Sequence, residues 1–139
     1  MEINHLFVYG TLQHPHVWRR VVTGEYQSAP GHLAGYKPSH INGQVYPGLI
    51  EDEASFAEGL VYLDISDQDL DRLDAFEGPS YKRIEVLIDM DDGADLRCHT
   101  YLYIGDMSVI NGMYWRYENY LLDGHDHFLS GYSGWDEVR

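Results

Sequence analysis

The segment Ser66-Asp67-Gln68-Asp69-Leu70-Asp71-Arg72-Leu73-Asp74-Ala75-Phe76-Glu77-Gly78 defines both ends of a helix and aims a carboxylate at the core. Ser66 is placed to cap the first turn, Asp69 stands three residues on as in a capping box, and Gly78 supplies a left-handed stop. At about 100° per residue, Leu70, Leu73 and Phe76 fall on one side, and Glu77 lies between the two leucines. An unpartnered buried charge costs several kcal/mol or takes up a proton. Glu77 is therefore either neutralised structurally or kept for chemistry. A last-turn Glu can also snorkel outward or bond a neighbouring backbone.

The helix is followed by the clearest hairpin of the chain. Residues 81–90 and 95–104 read as strands joined by Asp91-Asp92-Gly93-Ala94. In the second arm Leu96, Cys98, Thr100, Leu102 and Ile104 alternate with Arg97, His99, Tyr101 and Tyr103. One face is expected to be apolar and the other to carry tyrosines and a histidine. Upstream, Leu6-Phe7-Val8-Tyr9 reads as a strand ending at Gly10, followed by a loop to His14. Pro15 suits the first turn of a short helix through about Val22. Strands are expected at 32–37, 46–51 and 56–65, the last with Ala57, Gly59, Val61 and Leu63 on one side. Residues 114–122 read as a helix stopping at Gly124. The tail 125–139, with Phe128, Tyr132 and Trp135, is too aromatic to be free in solution. Many strands with a few short helices, and no regular alternation between them, indicate an α+β fold with a strongly curved or barrel-like sheet.

A length of 139 residues is expected to form one domain, 1–139. A formal charge of −14 argues against nucleic acid and anionic membranes as partners. Met1-Glu2-Ile3-Asn4-His5 has neither the basic start nor the apolar stretch of a signal peptide. With no long apolar run and one cysteine, a soluble cytoplasmic protein is expected, monomer or homodimer.

Two features besides Glu77 can build a site. Tyr9-Gly10-Thr11-Leu12 is a Gly-containing turn at a strand end, where consecutive backbone N–H groups can converge on an anion. Tyr81 and Arg83 are two apart and so share one face of a strand. Each alone has an ordinary structural reading.

Together these segments resemble a family. Phe7-Val8-Tyr9-Gly10-Thr11-Leu12, Tyr46-Pro47-Gly48, Leu73-Asp74-Ala75-Phe76-Glu77-Gly78 and Tyr81-Lys82-Arg83 with Val86 are similar to the γ-glutamylcyclotransferase-like superfamily over about residues 5–122. Trp115-Arg116-Tyr117-Glu118 sits where the AIG2-like branch has a Trp-rich helix. The resemblance implies a small mixed barrel with flanking helices. It also implies a pocket where the Tyr9–Leu12 loop meets Glu77, and conversion of a γ-glutamyl amine or amino acid to 5-oxoproline without metal or organic cofactor. Chemistry then gives Glu77 the role of base and acid, since the substrate's own α-amine is the tethered nucleophile. The N–H groups of Gly10, Thr11 and Leu12 bind either the substrate α-carboxylate or the developing oxyanion. Arg83 either pairs with a substrate carboxylate or steadies Glu77, whereas Tyr81 and Tyr103 line the pocket. The released amine is left open.

Competing readings are weaker. His14-Pro15-His16 and His125-Asp126-His127 have metal-like spacing but no placed third ligand. Cys98 and His99 on a strand point to opposite faces and make no dyad. A non-catalytic binding module of the same fold is the principal alternative. A structural role would rest on the aromatic tail alone.

Overall fold

The structure, a computed structural model, describes residues 3–138; Met1, Glu2 and the tail's last residue, Arg139, lie outside the described residues. Its most local prediction holds closely. Strand β4 (Tyr81–Met90) turns at Gly93, whose φ is 90°, into β5 (Asp95–Tyr103). The two pair antiparallel from Tyr81↔Tyr103 to Asp89↔Asp95. The expected apolar and polar faces of β5 are both covered, however. Cys98 and Thr100 are buried on one side, and Tyr101 and Tyr103 are buried on the other, while Ile104 is exposed.

The three strands expected at 32–37, 46–51 and 56–65 are two much longer ones, β2 (Ser28–Ile41) and β3 (Pro47–Tyr62). They form a long antiparallel pair from Ser28↔Tyr62 to His40↔Pro47, with a register shift between Ala34 and Tyr36. Gly35 sits in that shift at φ 84°, a conformation that admits glycine without steric cost. The bulge bends the ribbon, and its length lets β2 also meet β4 and β6 (Ile110–Tyr114). Strand β1 (Leu6–Val8) pairs antiparallel with β3 and parallel with β5. The order β3-β1-β5-β4-β2, with β2 returning to β3, closes a five-stranded mixed barrel, and β6 is an extra strand on β2.

Phe7, Leu49, Val61, Ile88 and Cys98 belong to one buried cluster. Leu6, Val8 and Tyr101 belong to a second that includes residues of α1 (Pro15–Val21), α2 (Asp67–Glu77), α3 (Tyr117–Asp123) and α4 (His125–Gly131). β1 is thus buried on both faces, and its end, where the Tyr9–Leu12 turn begins, is held rigidly. The helix expected at 114–122 begins later. Tyr114 ends β6, the Trp115 N–H donates to the Pro38 carbonyl at 2.8 Å, and Arg116 is the N-cap residue. The tail has structure of its own, α4 and a 3₁₀ segment Ser133–Glu137, with Phe128 and Trp135 buried. Among the described residues no helix is long and apolar enough to cross a membrane.

Candidate active site

Helix α2 runs as its caps dictate. The Ser66 hydroxyl accepts from the Asp69 N–H at 3.2 Å, and Gly78 stops the helix at φ 82°. The reciprocal half of the capping box is absent, because the Asp69 carboxylate turns to Thr23, Gly24 and Tyr26. At the other end, the wheel position of Glu77 brings it to a cavity lined also by Tyr9, Gly10, Thr11 and Leu12. The two segments that the sequence singled out therefore face the same space.

Glu77 retains some exposure, since it also borders a larger outer cavity, yet burial dominates its ionisation. Burial, then the nearby charge of Asp74, pushes its carboxyl up to about 8. Among the described residues no group hydrogen-bonds that carboxyl. This is the environment that keeps a carboxylic acid within reach of proton transfer near neutral pH.

The turn is fixed by its neighbours. The Tyr9 hydroxyl donates to the Tyr101 carbonyl at 2.7 Å, and Gln13 Nε2 donates to the Tyr9 carbonyl at 2.8 Å. Residues Thr11–Gln13 form a 3₁₀ turn, whose first N–H groups have no acceptor within the turn. The Tyr81 hydroxyl donates to the Pro47 carbonyl at 2.7 Å and that of Tyr101 to Asp74 at 2.7 Å. Burial, followed by other effects including the Glu77 charge, raises the phenols of Tyr9, Tyr81, Tyr101 and Tyr132. All four are therefore O–H donors at neutral pH.

Two predicted site residues do not line the inner cavity. Arg83 does not line the inner cavity; its Nε pairs with Asp74 at 3.1 Å, and it borders a separate groove with Asp67 and Asp71. Sharing a face with Tyr81 was insufficient, because two residues along a strand, about 6.6 Å, match roughly one 5.4 Å turn of a helix. Tyr81 thus stands near Glu77 and Arg83 near Asp74, one turn earlier. Tyr103 lines the outer cavity, where its ring meets Tyr81 edge-on at 5.6 Å.

The tail supplies what sequence reasoning missed. Phe128 and Tyr132 line the inner cavity, as do Tyr46 and Tyr101. The Tyr132 hydroxyl donates to the Phe76 carbonyl at 2.8 Å and the Glu77 carbonyl at 3.1 Å, capping the orphan end of α2. A side chain at Gly134 would collide with the Phe76 carbonyl, so the tail backbone lies directly on that helix end. The spacing of Phe128 and Tyr132, four apart, was the available signal for a helix face.

The histidines partly converge. His14 and His125 stack at 3.9 Å between centroids, with His16 at 6.5 Å from His14, whereas His127 belongs elsewhere. Among the described residues no group of three or more His, Cys, Asp or Glu could hold a metal ion. Burial pushes the Cys98 thiol up to about 12, which leaves it a poor nucleophile at neutral pH.

A family profile described as "Gamma-glutamyl cyclotransferase, AIG2-like" matches residues 6–121. An AIG2-like protein from Arabidopsis thaliana is 26% identical over 121 residues, 86% of this chain and 73% of that protein. The solution structure of an Arabidopsis thaliana protein superposes with a TM-score of 0.72 at 25% identity, covering 93% of this chain and 87% of the other. A structure titled "Gamma-glutamyl cyclotransferase" gives a TM-score of 0.66 at 16% identity, covering 99% of this chain and 86% of that one, a likeness of fold. With the barrel, the Tyr9–Leu12 turn and the Glu77 cavity in place, the profile match assigns this chain to the AIG2-like γ-glutamyl cyclotransferase family.

Proposed function

We propose that this protein is a cofactor-independent γ-glutamyl cyclotransferase acting on a small γ-glutamyl compound. The observation that carries the reading is Glu77: an unpaired carboxyl raised to about 8, in one cavity with the Tyr9–Leu12 turn. The carboxylate form of Glu77 takes a proton from the substrate α-ammonium. The freed amine attacks the γ-carbonyl carbon and forms the new C–N bond. Glu77 returns the proton to the departing nitrogen, a second proton passes the same way from the newly bonded nitrogen, the old C–N bond breaks, and 5-oxoproline and a protonated amine result. The nucleophile is already tethered, an arrangement worth effective molarities on the order of 10⁵–10⁸ M. The N–H groups of Gly10 to Leu12 bind the substrate α-carboxylate or the developing oxyanion, and Tyr81 lines the site as a neutral donor.

The test is a panel of γ-glutamyl amino acids, γ-glutamyl amines and glutathione with detection of 5-oxoproline. Product from at least one, lost in Glu77→Gln, is expected. The inner cavity is about 30 Å³ as it stands, which bears equally on the binding-module alternative. No 5-oxoproline across the panel, with a small acid bound all the same, would decide for that alternative.

A further inference from the structure

Glu77 borders two cavities of very different size. The inner one, beside the Gly10 to Leu12 turn, holds about 30 Å³, and the outer one about 660 Å³. A water needs roughly 10–15 Å³, whereas a cavity of about 150 Å³ admits benzene. The inner cavity thus has room for water and none for a molecule of benzene's size, so a wall must move before any such ligand meets Glu77 and the turn together.

The residues that line both cavities are Tyr46, Phe76, Glu77, Tyr81 and Tyr132. Phe76 is fixed in the core at 1% exposure. Tyr81 is tied to the Pro47 carbonyl and Tyr132 to the end of α2. Tyr46 differs from these. It is half-buried, its hydroxyl makes no hydrogen bond among the described residues, and its ring is held by edge contacts with Tyr132 at 5.1 Å and Phe128 at 6.1 Å. Its backbone is anchored on both sides, because Trp115 Nε1 donates to the Val45 carbonyl and Tyr81 to that of Pro47. What can move cheaply is the Tyr46 side chain.

We propose that the Tyr46 ring is the movable partition between the two cavities, closing against Tyr132, and that its rotation determines which molecules reach the buried carboxyl of Glu77 beside the turn. With the ring swung out, the acidic end of a ligand enters beside the turn and the remainder occupies the outer cavity. Tyr132 is then the fixed post of this gate. It is carried by a segment beyond residue 121, where the family match ends. Selection at this point accordingly draws on the tail as well as on the barrel.

The test requires no turnover. Glu77 is labelled with a water-soluble carbodiimide and glycine methyl ester near pH 6, and the adduct is quantified by peptide mass spectrometry. If the open form holds about 0.1–10% of the population, Tyr46→Ala labels Glu77 about ten- to a thousandfold faster than the unaltered protein. Tyr46→Phe, which loses no hydrogen bond, labels at the unaltered rate. Tyr46→Trp, a larger ring, labels several-fold more slowly and serves if the alanine variant does not fold. Equal rates in folded alanine and tryptophan variants overturn the partition. Millimolar 5-oxoproline included in parallel separates this inference from the cyclotransferase reading on which its ligand rests. Faster labelling in Tyr46→Ala with no protection by 5-oxoproline leaves the partition standing and counts against the reading.

Discussion

Helix α2 carries two desolvated acids whose surroundings are opposite. Asp69, in the first turn, is fully buried and accepts four hydrogen bonds: from the Thr23 N–H and hydroxyl, the Gly24 N–H and the Tyr26 hydroxyl. Burial opposes its ionisation, but those donors outweigh it and hold the carboxyl below its ordinary range. Glu77, in the last turn, is desolvated without donors and lies near the charge of Asp74, and its carboxyl rises to about 8. One acid is a joint between helix and loop; the other is the residue to which the proposed function assigns the proton transfer. Desolvation opposes ionisation at both; the donors present at Asp69 and absent at Glu77 send the two carboxyls in opposite directions.

The sharpest way to break that contrast is to remove the titrating atom and keep the shape. Glu77→Gln is expected to lower turnover of γ-glutamyl compounds by on the order of 10²–10⁴ with an unchanged circular dichroism spectrum. The same variant has a stability signature. A carboxyl whose folded pKa is raised leaves stability intact below its unfolded value and loses it as pH rises toward about 8. Glu77→Gln is therefore expected to be more stable than the parent by about 1–3 kcal/mol at pH 8, and equal to it near pH 4. Full activity in a folded glutamine variant would end the proton-carrier assignment.

Asp69 is expected to behave in the reverse sense. Asp69→Ala leaves four donors without their acceptor and should destabilise by about 2–4 kcal/mol in denaturant titration. Activity per folded molecule should change little. Because the folded pKa is depressed, the stability that Asp69 contributes is complete above its unfolded value near about 3.9, and is lost as pH falls through the folded value. Asp69→Asn should flatten that acid limb. A loss of turnover that exceeds the loss of folded protein would erase the distinction between the two acids.

How much of this was legible follows from how local each signal is. The caps of α2, the placement of Glu77 and the hairpin at Gly93 are set by residues within a few positions of one another, and these were readable. The β2–β3 ribbon was not, since Pro30, Pro38 and the polar run Glu51 to Ser55 look like interruptions until long-range pairing overrides them. Glu77 and the turn Tyr9 to Leu12 were both found in the sequence, and the fold brings them together. Tyr132 was missed because its acceptors, the carbonyls of Phe76 and Glu77, lie more than fifty positions away. Arg83 was placed on the right face at the wrong depth, a difference that depends on how strand and helix rise compare.

The pH dependence offers a finer test. In the free enzyme kcat/KM should rise with pH as Glu77 loses its proton, with a midpoint near 8 and not in the usual carboxylate range. A midpoint near 4 would mean that a solvated acid does the work.

Asp74 and Arg83 permit the smallest and most specific test, because Arg83 is paired with the acid whose charge raises Glu77. Asp74 stands one turn before Glu77, and its charge is the second cause of the raised carboxyl. Asp74→Asn removes that charge while the amide oxygen still accepts from the Tyr101 hydroxyl. The midpoint of the kcat/KM profile should therefore move down, by about a few tenths to one pH unit. Arg83, at 3.1 Å from Asp74, partly neutralises the same charge. Arg83→Gln should leave Asp74 more effective against Glu77 and move the midpoint up by a smaller amount, while KM stays near its parent value, since Arg83 does not line the inner cavity. If Arg83 instead bound the substrate carboxylate, the glutamine variant would raise KM many-fold with the midpoint unmoved. That outcome would return Arg83 to the site and require the barrel to present it differently when substrate is bound.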